Sequence, residues 1–113
     1  MDRYIVNPKR VEAPYMILAF DSTPLAREHL KAAMHQADKT LRPQIVYKHQ
    51  NPDYWRLIKY FKQLTGIGAV LNTSLNLHGY PLVATLEQAL FTFENSGLKY
   101  MAIENWLIRK ENI

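Results

Sequence analysis

The side chains best suited to bind a ligand lie together in the second half of the chain. An apolar run ends at Leu71, and residues 72–78 then hold two asparagines, a threonine, a serine and a histidine before Gly-Tyr-Pro at 79–81. Amide, hydroxyl and backbone N–H groups at this density can donate hydrogen bonds to a phosphate or carboxylate. A strand that only had to turn would not need them. The pattern predicts a loop that contacts an anion or a nucleotide.

Composition sets the limits on what supports this loop. The chain has 113 residues, which fits one domain, and its 48% hydrophobic and 21% charged residues are typical of a globular protein. It has no cysteine, so a disulfide framework and a thiolate metal site are excluded. No segment approaches the roughly 20 apolar residues of a membrane span, and the first residues do not lead into a secretory apolar core. We therefore expect a cytoplasmic protein without membrane contact.

The net charge is +4, but the basic residues are spread from Arg3 to Lys110 rather than gathered in a block. Nucleic-acid binding is therefore not expected, since it is typical of clustered basic residues. A small phosphorylated ligand accounts for the positive excess equally well.

Hydrophobic periodicity and capping residues predict alternating strands and helices. Pro24 is expected at the first position of the first helix, Asn51 and Gly66 at the two ends of the second, and Thr85 in a capping box at the start of the third. The predicted strands are 14–20, 42–48, 68–71, 98–104 and 106–109, and the predicted helices are 25–34, 51–66 and 85–96.

The middle helix has an apolar stripe at helical spacing, which predicts that this face packs in the core rather than stacking on a ligand. The stripe consists of Tyr54, Leu57, Ile58, Phe61 and Leu64, and the residues off it include Trp55, Arg56, Lys59 and Lys62. We expect an α/β (α+β) fold, in which a mixed β-sheet is covered by about three helices. Residues 1–13 are predicted to be flexible or extended, 14–110 to form the domain, and 111–113 to be a tail.

Several motifs, in order along the chain, resemble the O-carbamoyltransferase family of nodulation-factor and antibiotic-tailoring enzymes. Residues 72–83, NTSLNLHGYPLV, resemble that family's NTSFN-(L/V)-x-GEP-(I/L)-V signature. Upstream, PYM at 14–16, DKTLR at 38–42 and NPDY at 51–54 resemble its SPYM, DGTAR and NPxY motifs. Downstream, TLEQAL at 85–90 resembles its TPEDAL. The resemblance runs from about residue 14 to residue 110.

The resemblance implies that this segment belongs to the C-terminal, YrdC-like domain, truncated at its N-terminal side. In the family, that domain joins ATP and carbamoyl phosphate into a carbamoyl adenylate, and an N-terminal metal-bearing domain passes the carbamoyl group to a hydroxyl acceptor. ATP and carbamoyl phosphate are accordingly the expected ligands. The expected partner is a chain carrying the N-terminal part, or a second copy of this chain.

By the same resemblance, Arg42 and Ser74 are the candidate catalytic residues. Arg42 would hold a phosphate or carboxylate-like oxygen of the activated carbamoyl group, and Asn72, Thr73 and Ser74 would donate to the nucleotide phosphate. Asn76 would brace the loop or touch the ligand. Two alternatives stay open: Arg42 could form a turn-stabilising pair with Asp38, and the asparagines could satisfy loop backbone groups.

Three departures from the family pattern bear on activity. Leu75 replaces a phenylalanine, Tyr80 replaces an acidic residue, and Lys39 replaces a glycine, so the turn before Arg42 is expected to follow a different backbone path. The histidines show no ligand spacing, so no metal is predicted. Two hypotheses remain: a carbamoyltransferase portion that is active only with the rest of the enzyme, and a non-catalytic remnant that binds a nucleotide or another protein.

Overall fold

The computed structural model describes residues 3–111, and the chain divides into two compact units, Met1–Leu71 and Asn72–Ile113. Residues 1, 2, 112 and 113, which belong to the predicted terminal segments, lie outside the described residues. The elements in chain order are β1 (Phe20–Asp21), α1 (Pro24–His29), a 3₁₀ turn (Lys31–Ala33), β2 (Thr40–Leu41), α2 (Pro52–Thr65), α3 (Leu86–Glu94), β3 (Tyr100–Ile103) and β4 (Trp106–Arg109). The predicted α+β class with three helices is confirmed.

The strands of the described chain form two separate antiparallel pairs. In the first unit β1 pairs with β2, with Phe20 opposite Leu41, and in the second unit β3 pairs with β4, with Tyr100 opposite Arg109. The two strands of the second pair lie within the predicted strands 98–104 and 106–109, and the structure shows that they pair as a hairpin. The single mixed sheet expected from the element order is thus replaced by two small sheets.

The core of the first unit is small. Ile5, Ala26 and Leu41 are buried together, and partly buried side chains pack on them from Tyr4, Phe20, Leu30, Met34 and Ile45. Ile5 also forms a bridge with Ser22. The segment before residue 14, expected to be flexible or extended, therefore contributes a buried side chain to this core.

Helix ends follow the local sequence closely. Thr23 caps α1 by accepting from the Ala26 N–H at 3.2 Å, and Pro24 takes the first helical position as predicted. Asn51 caps α2 through a 3.1 Å bond from the Tyr54 N–H, and Gly66 ends it at φ +77. Such side-chain caps satisfy backbone N–H groups that the first helical turn leaves unpaired.

The third helix is capped at both ends. Thr85 Oγ1 accepts from the Gln88 N–H at 3.3 Å, and Gln88 Oε1 reaches back to the Ala84 N–H at 2.8 Å, one residue before the expected partner of a capping box. At the other end, Lys110 Nζ donates to the carbonyls of Glu94 and Ser96 at 3.2 and 2.6 Å. A cation at this position also complements the helix dipole.

Three predicted strands are wrong. Residues 14–19 are irregular with Tyr15 and Ile17 exposed, residues 42–48 form no strand although β2 lies just before them, and residues 68–71 form none. A strand requires a hydrogen-bonded neighbour, and Pro43 removes one backbone donor from the second of these segments.

The predicted burial of the α2 stripe is also wrong. No residue of α2 is buried, and Leu57 and Leu64 are 53% and 86% exposed. Tyr54 and Ile58, which belong to the same stripe, are partly covered. The helix is amphipathic as predicted, but the described residues leave most of its apolar face uncovered. Among residues 3–111, no helix is both long enough and apolar enough to cross a membrane.

Candidate functional site

The polar loop of the second unit is closed by backbone hydrogen bonds. The Leu75 carbonyl accepts from the Val83 N–H and the Leu77 carbonyl from the Tyr80 N–H, each at 3.0 Å. Gly79 lies at φ +82 in the third position of the inner turn. A type II turn requires this left-handed conformation, which glycine adopts without steric penalty.

Asn76 braces this loop from within. Its Nδ2 donates to the backbone carbonyls of Leu77 and Tyr80, at 3.2 Å each. These bonds tie the start of the inner turn to its end. The side-chain amide therefore satisfies loop backbone groups, which is one of the two roles considered for it from the sequence.

Residues 72–74, which come before the turn braced by Asn76, face solvent. Asn72, Thr73 and Ser74 are exposed, and they precede the hydrogen-bonded turn in an extended, irregular stretch. Two hydroxyls and one amide follow one another here, so the stretch offers donors and acceptors to a ligand approaching from solvent. Their predicted role in binding stays a prediction.

Arg42 belongs to the first unit and directly follows β2. Its side chain is exposed, and Asp38, its expected partner in the alternative interpretation, is paired with other groups. The Asp38 Oδ1 accepts from the Thr40 N–H at 3.0 Å and the Thr40 hydroxyl at 2.8 Å, and it contacts His35 Nδ1 at 3.0 Å. The turn-stabilising pair between Arg42 and Asp38 is wrong, because the ion pairs within residues 3–111 are His35 with Asp38 and Arg56 with Asp53, and neither includes Arg42.

The same contacts hold the pKa of Asp38 below its usual value. The main cause is the Thr40 backbone N–H, followed by the Thr40 hydroxyl, and nearby His35 acts in the same direction. Each of these groups favours the ionised carboxylate.

Lys39 lies in this turn at φ +60, in the left-handed region. The resembled motif has a glycine here, and glycine enters this region freely. The backbone thus takes a conformation that suits glycine even though lysine occupies the position. The departure in sequence is accommodated by strain at Lys39.

The histidines are engaged separately or lie apart. His29 Nδ1 contacts the Tyr4 hydroxyl at 3.2 Å, His35 contacts Asp38, and His78 is exposed in the loop. Within residues 3–111 no group of three or more histidine, aspartate or glutamate side chains could hold a metal ion.

The structure places the predicted residues in two groups. Asn72, Thr73, Ser74 and Asn76 share the loop of the second unit, and Arg42 lies in the first unit. A shallow hollow in the first unit, lined by residues 5–8, Arg10 and Thr23, contains none of them.

The sequence did not predict a cluster of two lysines and a tryptophan in the first unit. The Nζ atoms of Lys48 and Lys59 each lie 5.5 Å from the centre of the Trp55 ring. The four-residue spacing of Trp55 and Lys59 on a helix could have indicated one contact. The approach of Lys48, which precedes the helix, depends on the conformation of the intervening turn.

Comparison with known proteins identifies the family. The family profile described as "Carbamoyltransferase C-terminus" matches residues 1–110. The chain belongs to this family. The match includes residues 1–13, which the motif resemblance did not reach.

Curated relatives agree with this assignment. The uncharacterized protein MJ1058 of Methanocaldococcus jannaschii is 41% identical over 91% of this chain. The nodulation protein NolO of Bradyrhizobium diazoefficiens is 34% identical over 75% of it, and the 3'-hydroxymethylcephem-O-carbamoyltransferase of Amycolatopsis lactamdurans is 30% identical over 88%. The matched regions span 17%, 16% and 19% of those three proteins, so this carbamoyltransferase C-terminal chain corresponds to a small part of each.

Proposed function

We propose that this chain acts as the C-terminal portion of an O-carbamoyltransferase. It would contribute to binding ATP and carbamoyl phosphate and to forming a carbamoyl adenylate, from which the carbamoyl group passes to a hydroxyl acceptor. The observation that carries the proposal is the family match across residues 1–110. The name of the Amycolatopsis relative states carbamoyl transfer for that protein, and we extend it to this chain. The cytoplasmic location predicted from the sequence belongs to the same proposal.

The exposed loop supports this assignment chemically. Thr73 and Ser74 present hydroxyls to solvent, while Asn76 holds the following turn in place. Exposed hydroxyl groups can donate hydrogen bonds to a phosphate oxygen. Ser74 would donate to a phosphate oxygen of the nucleotide.

Arg42 would supply the positive charge. Its guanidinium can form two parallel hydrogen bonds to a phosphate or carboxylate-like group, which a lysine cannot. Neither ion pair within residues 3–111 includes Arg42, so no carboxylate neutralises it by direct pairing in that part of the chain. An acyl phosphate is already activated, so neutralising charge and positioning the reactants are the main tasks of the protein.

A second candidate function is a non-catalytic module that binds a nucleotide or another protein. The exposed apolar side chains favour this alternative: Leu57 and Leu64 on α2, and Trp106 and Leu107 on β4, which are 74% and 75% exposed. Exposed apolar groups of this size are common at protein interaction sites. A partner carrying the rest of the enzyme, or a second copy of the chain, would cover them.

Isothermal titration calorimetry with ATP and with carbamoyl phosphate separates the two, because a module that binds only a nucleotide gives no heat with carbamoyl phosphate and a module that binds only a protein gives none with either ligand. We expect binding in the micromolar to millimolar range, weakened about tenfold by Arg42→Ala and by Ser74→Ala. Arg109→Ala removes an exposed arginine outside the predicted site and serves as the matched control. If a chain shown to be folded by circular dichroism gives no heat with either ligand, the proposal for this polypeptide alone fails and the interaction module is favoured.

A further inference from the structure

The lysine and tryptophan cluster of the first unit lies outside the predicted loop and does not involve Arg42. Lys59 stands four residues after Trp55 on α2, so helix geometry alone brings its side chain next to the ring. Lys48 comes from the turn before the helix, where the N–H groups of Gln50 and Asn51 both donate to the Tyr47 carbonyl at 3.1 and 3.0 Å. Two different segments thus direct ammonium groups to one indole.

The positive charge of this cluster is not neutralised. Within residues 3–111 the ion pairs are His35 with Asp38 and Arg56 with Asp53, so neither Lys48 nor Lys59 has a carboxylate partner. Asp53 is the acidic residue of α2, and it is engaged by Arg56 at 3.3 Å. The indole attracts cations through its ring electrons but carries no net charge.

Two ammonium groups beside one ring can attract the same anion. Each lies 5.5 Å from the ring centre, so the two are at most twice that distance apart. An anion of several charges can therefore lie within the screening length of both, which is about 10 Å in 0.1 M salt. A single carboxylate could form an ion pair with one of the two lysines. A polyphosphate carries several charges along a short flexible chain and can meet both at once, and lysine binds phosphate as a point charge.

We propose that Lys48, Lys59 and Trp55 form a binding site for a polyphosphate anion, either the phosphate chain of a nucleoside triphosphate or a free polyphosphate. The lysines contact the phosphate oxygens, and the indole holds their side chains beside the helix. None of these three residues belongs to the predicted loop.

The fluorescence of Trp55 provides a direct test. The chain has two tryptophans, so Trp106→Phe leaves Trp55 as the sole indole, and Trp106 is exposed enough to be replaced without disturbing the core. We expect titration of this variant with ATP or inorganic tripolyphosphate at low salt to give a saturable change that weakens as salt is added. Lys48→Ala and Lys59→Ala should each weaken apparent affinity by roughly fivefold or more. Lys31→Ala, which removes an exposed lysine from the 3₁₀ turn, should leave it unchanged.

The two ligands distinguish the sources of the phosphate chain. Equal affinities for the two ligands mean that only the phosphate groups are recognised. A higher affinity for ATP means that a nucleotide is the ligand. Both outcomes support the proposal. No saturable change with either ligand overturns it, as does binding that neither lysine variant weakens. A response only to single-stranded RNA also overturns it and would indicate a nucleic-acid surface.

The result can be separated from that for carbamoyl transfer. Arg42→Ala and Ser74→Ala should leave the Trp55 response intact. If the fluorescence of Trp55 does not change but calorimetry shows binding that depends on Arg42, this inference is overturned and the proposed function is still supported.

Discussion

Replacing Lys39 with glycine should stabilise the protein. The turn from His35 to Thr40 is closed by two backbone bonds of 3.0 Å, from the His35 N–H to the Thr40 carbonyl and from the Lys39 N–H to the His35 carbonyl. The Asp38 carboxylate adds its bonds to Thr40. These contacts hold Lys39 at φ +60, where its Cβ crowds the backbone.

The expected gain follows from two opposing terms. A non-glycine residue in the left-handed region costs about 1–2 kcal/mol. Glycine loses roughly 0.5–1 kcal/mol more conformational entropy on folding. The Lys39 side chain is exposed, so its removal uncovers no core. The free energy of unfolding should therefore rise by about 0.5–1 kcal/mol, or roughly 2–4 °C in Tm for a domain of this size.

Urea and thermal unfolding followed by circular dichroism would measure this gain. Lys39→Ala is the matched control, because it removes the same charge and chain but keeps the Cβ, and we expect it to give no gain. Gly66→Ala is the converse change: Gly66 lies at φ +77 with nothing within 4 Å of an added Cβ, so the loss of about 1 kcal/mol would be conformational rather than steric. Equal gains from Lys39→Ala and Lys39→Gly would refute the argument from backbone strain.

Three further predictions concern polar contacts. Because the pKa of Asp38 is lowered in the folded protein, the carboxylate contributes its full stabilisation above its ordinary pKa of about 4. This contribution is lost as the pH falls through the folded pKa. The free energy of unfolding of Asp38→Asn should therefore fall less steeply with decreasing pH than that of the native chain. An acid unfolding curve unchanged by this substitution would contradict the role of the Thr40 bonds. Asn76→Asp replaces the donor to two carbonyls with an acceptor, so hydrogen exchange in residues 77–80 should accelerate several-fold, while exchange in β3 and β4 stays constant. Thr85→Ala removes the cap bond from the Gln88 N–H and should lower the free energy of unfolding by about 1 kcal/mol, whereas Thr85→Ser should retain most of it.

Family membership was predictable from short motifs. The loop at 72–83 and the punctuated segments on either side of it carried the resemblance, and the family match over residues 1–110 confirms it. The roles assigned to Arg42 and the loop residues stay predictions, because the same side chains can bind a ligand or serve the loop. For Asn76 the structure shows bonds to the loop backbone, which the sequence left as one of two alternatives.

The helix starts and the end of α2 were determined by the local sequence, whereas α1 ends at His29 rather than at the predicted Met34. Asn51, Gly66 and Thr85 act through bonds or backbone angles within a few residues of their own positions, so local sequence contains the necessary information. The hairpin of β3 and β4 was predictable for the same reason, since its two strands are neighbours in the chain.

Only the tertiary structure decided which apolar segments become strands and which helix faces are covered. Residues 14–19 have the composition of a strand, yet a strand forms only where a partner supplies hydrogen bonds, and that partner is remote in sequence. The stripe on α2 likewise shows amphipathicity, but periodicity does not say what packs against it. The meeting of Lys48 with Trp55 belongs to the same class, because it depends on how the chain turns between them rather than on either residue alone.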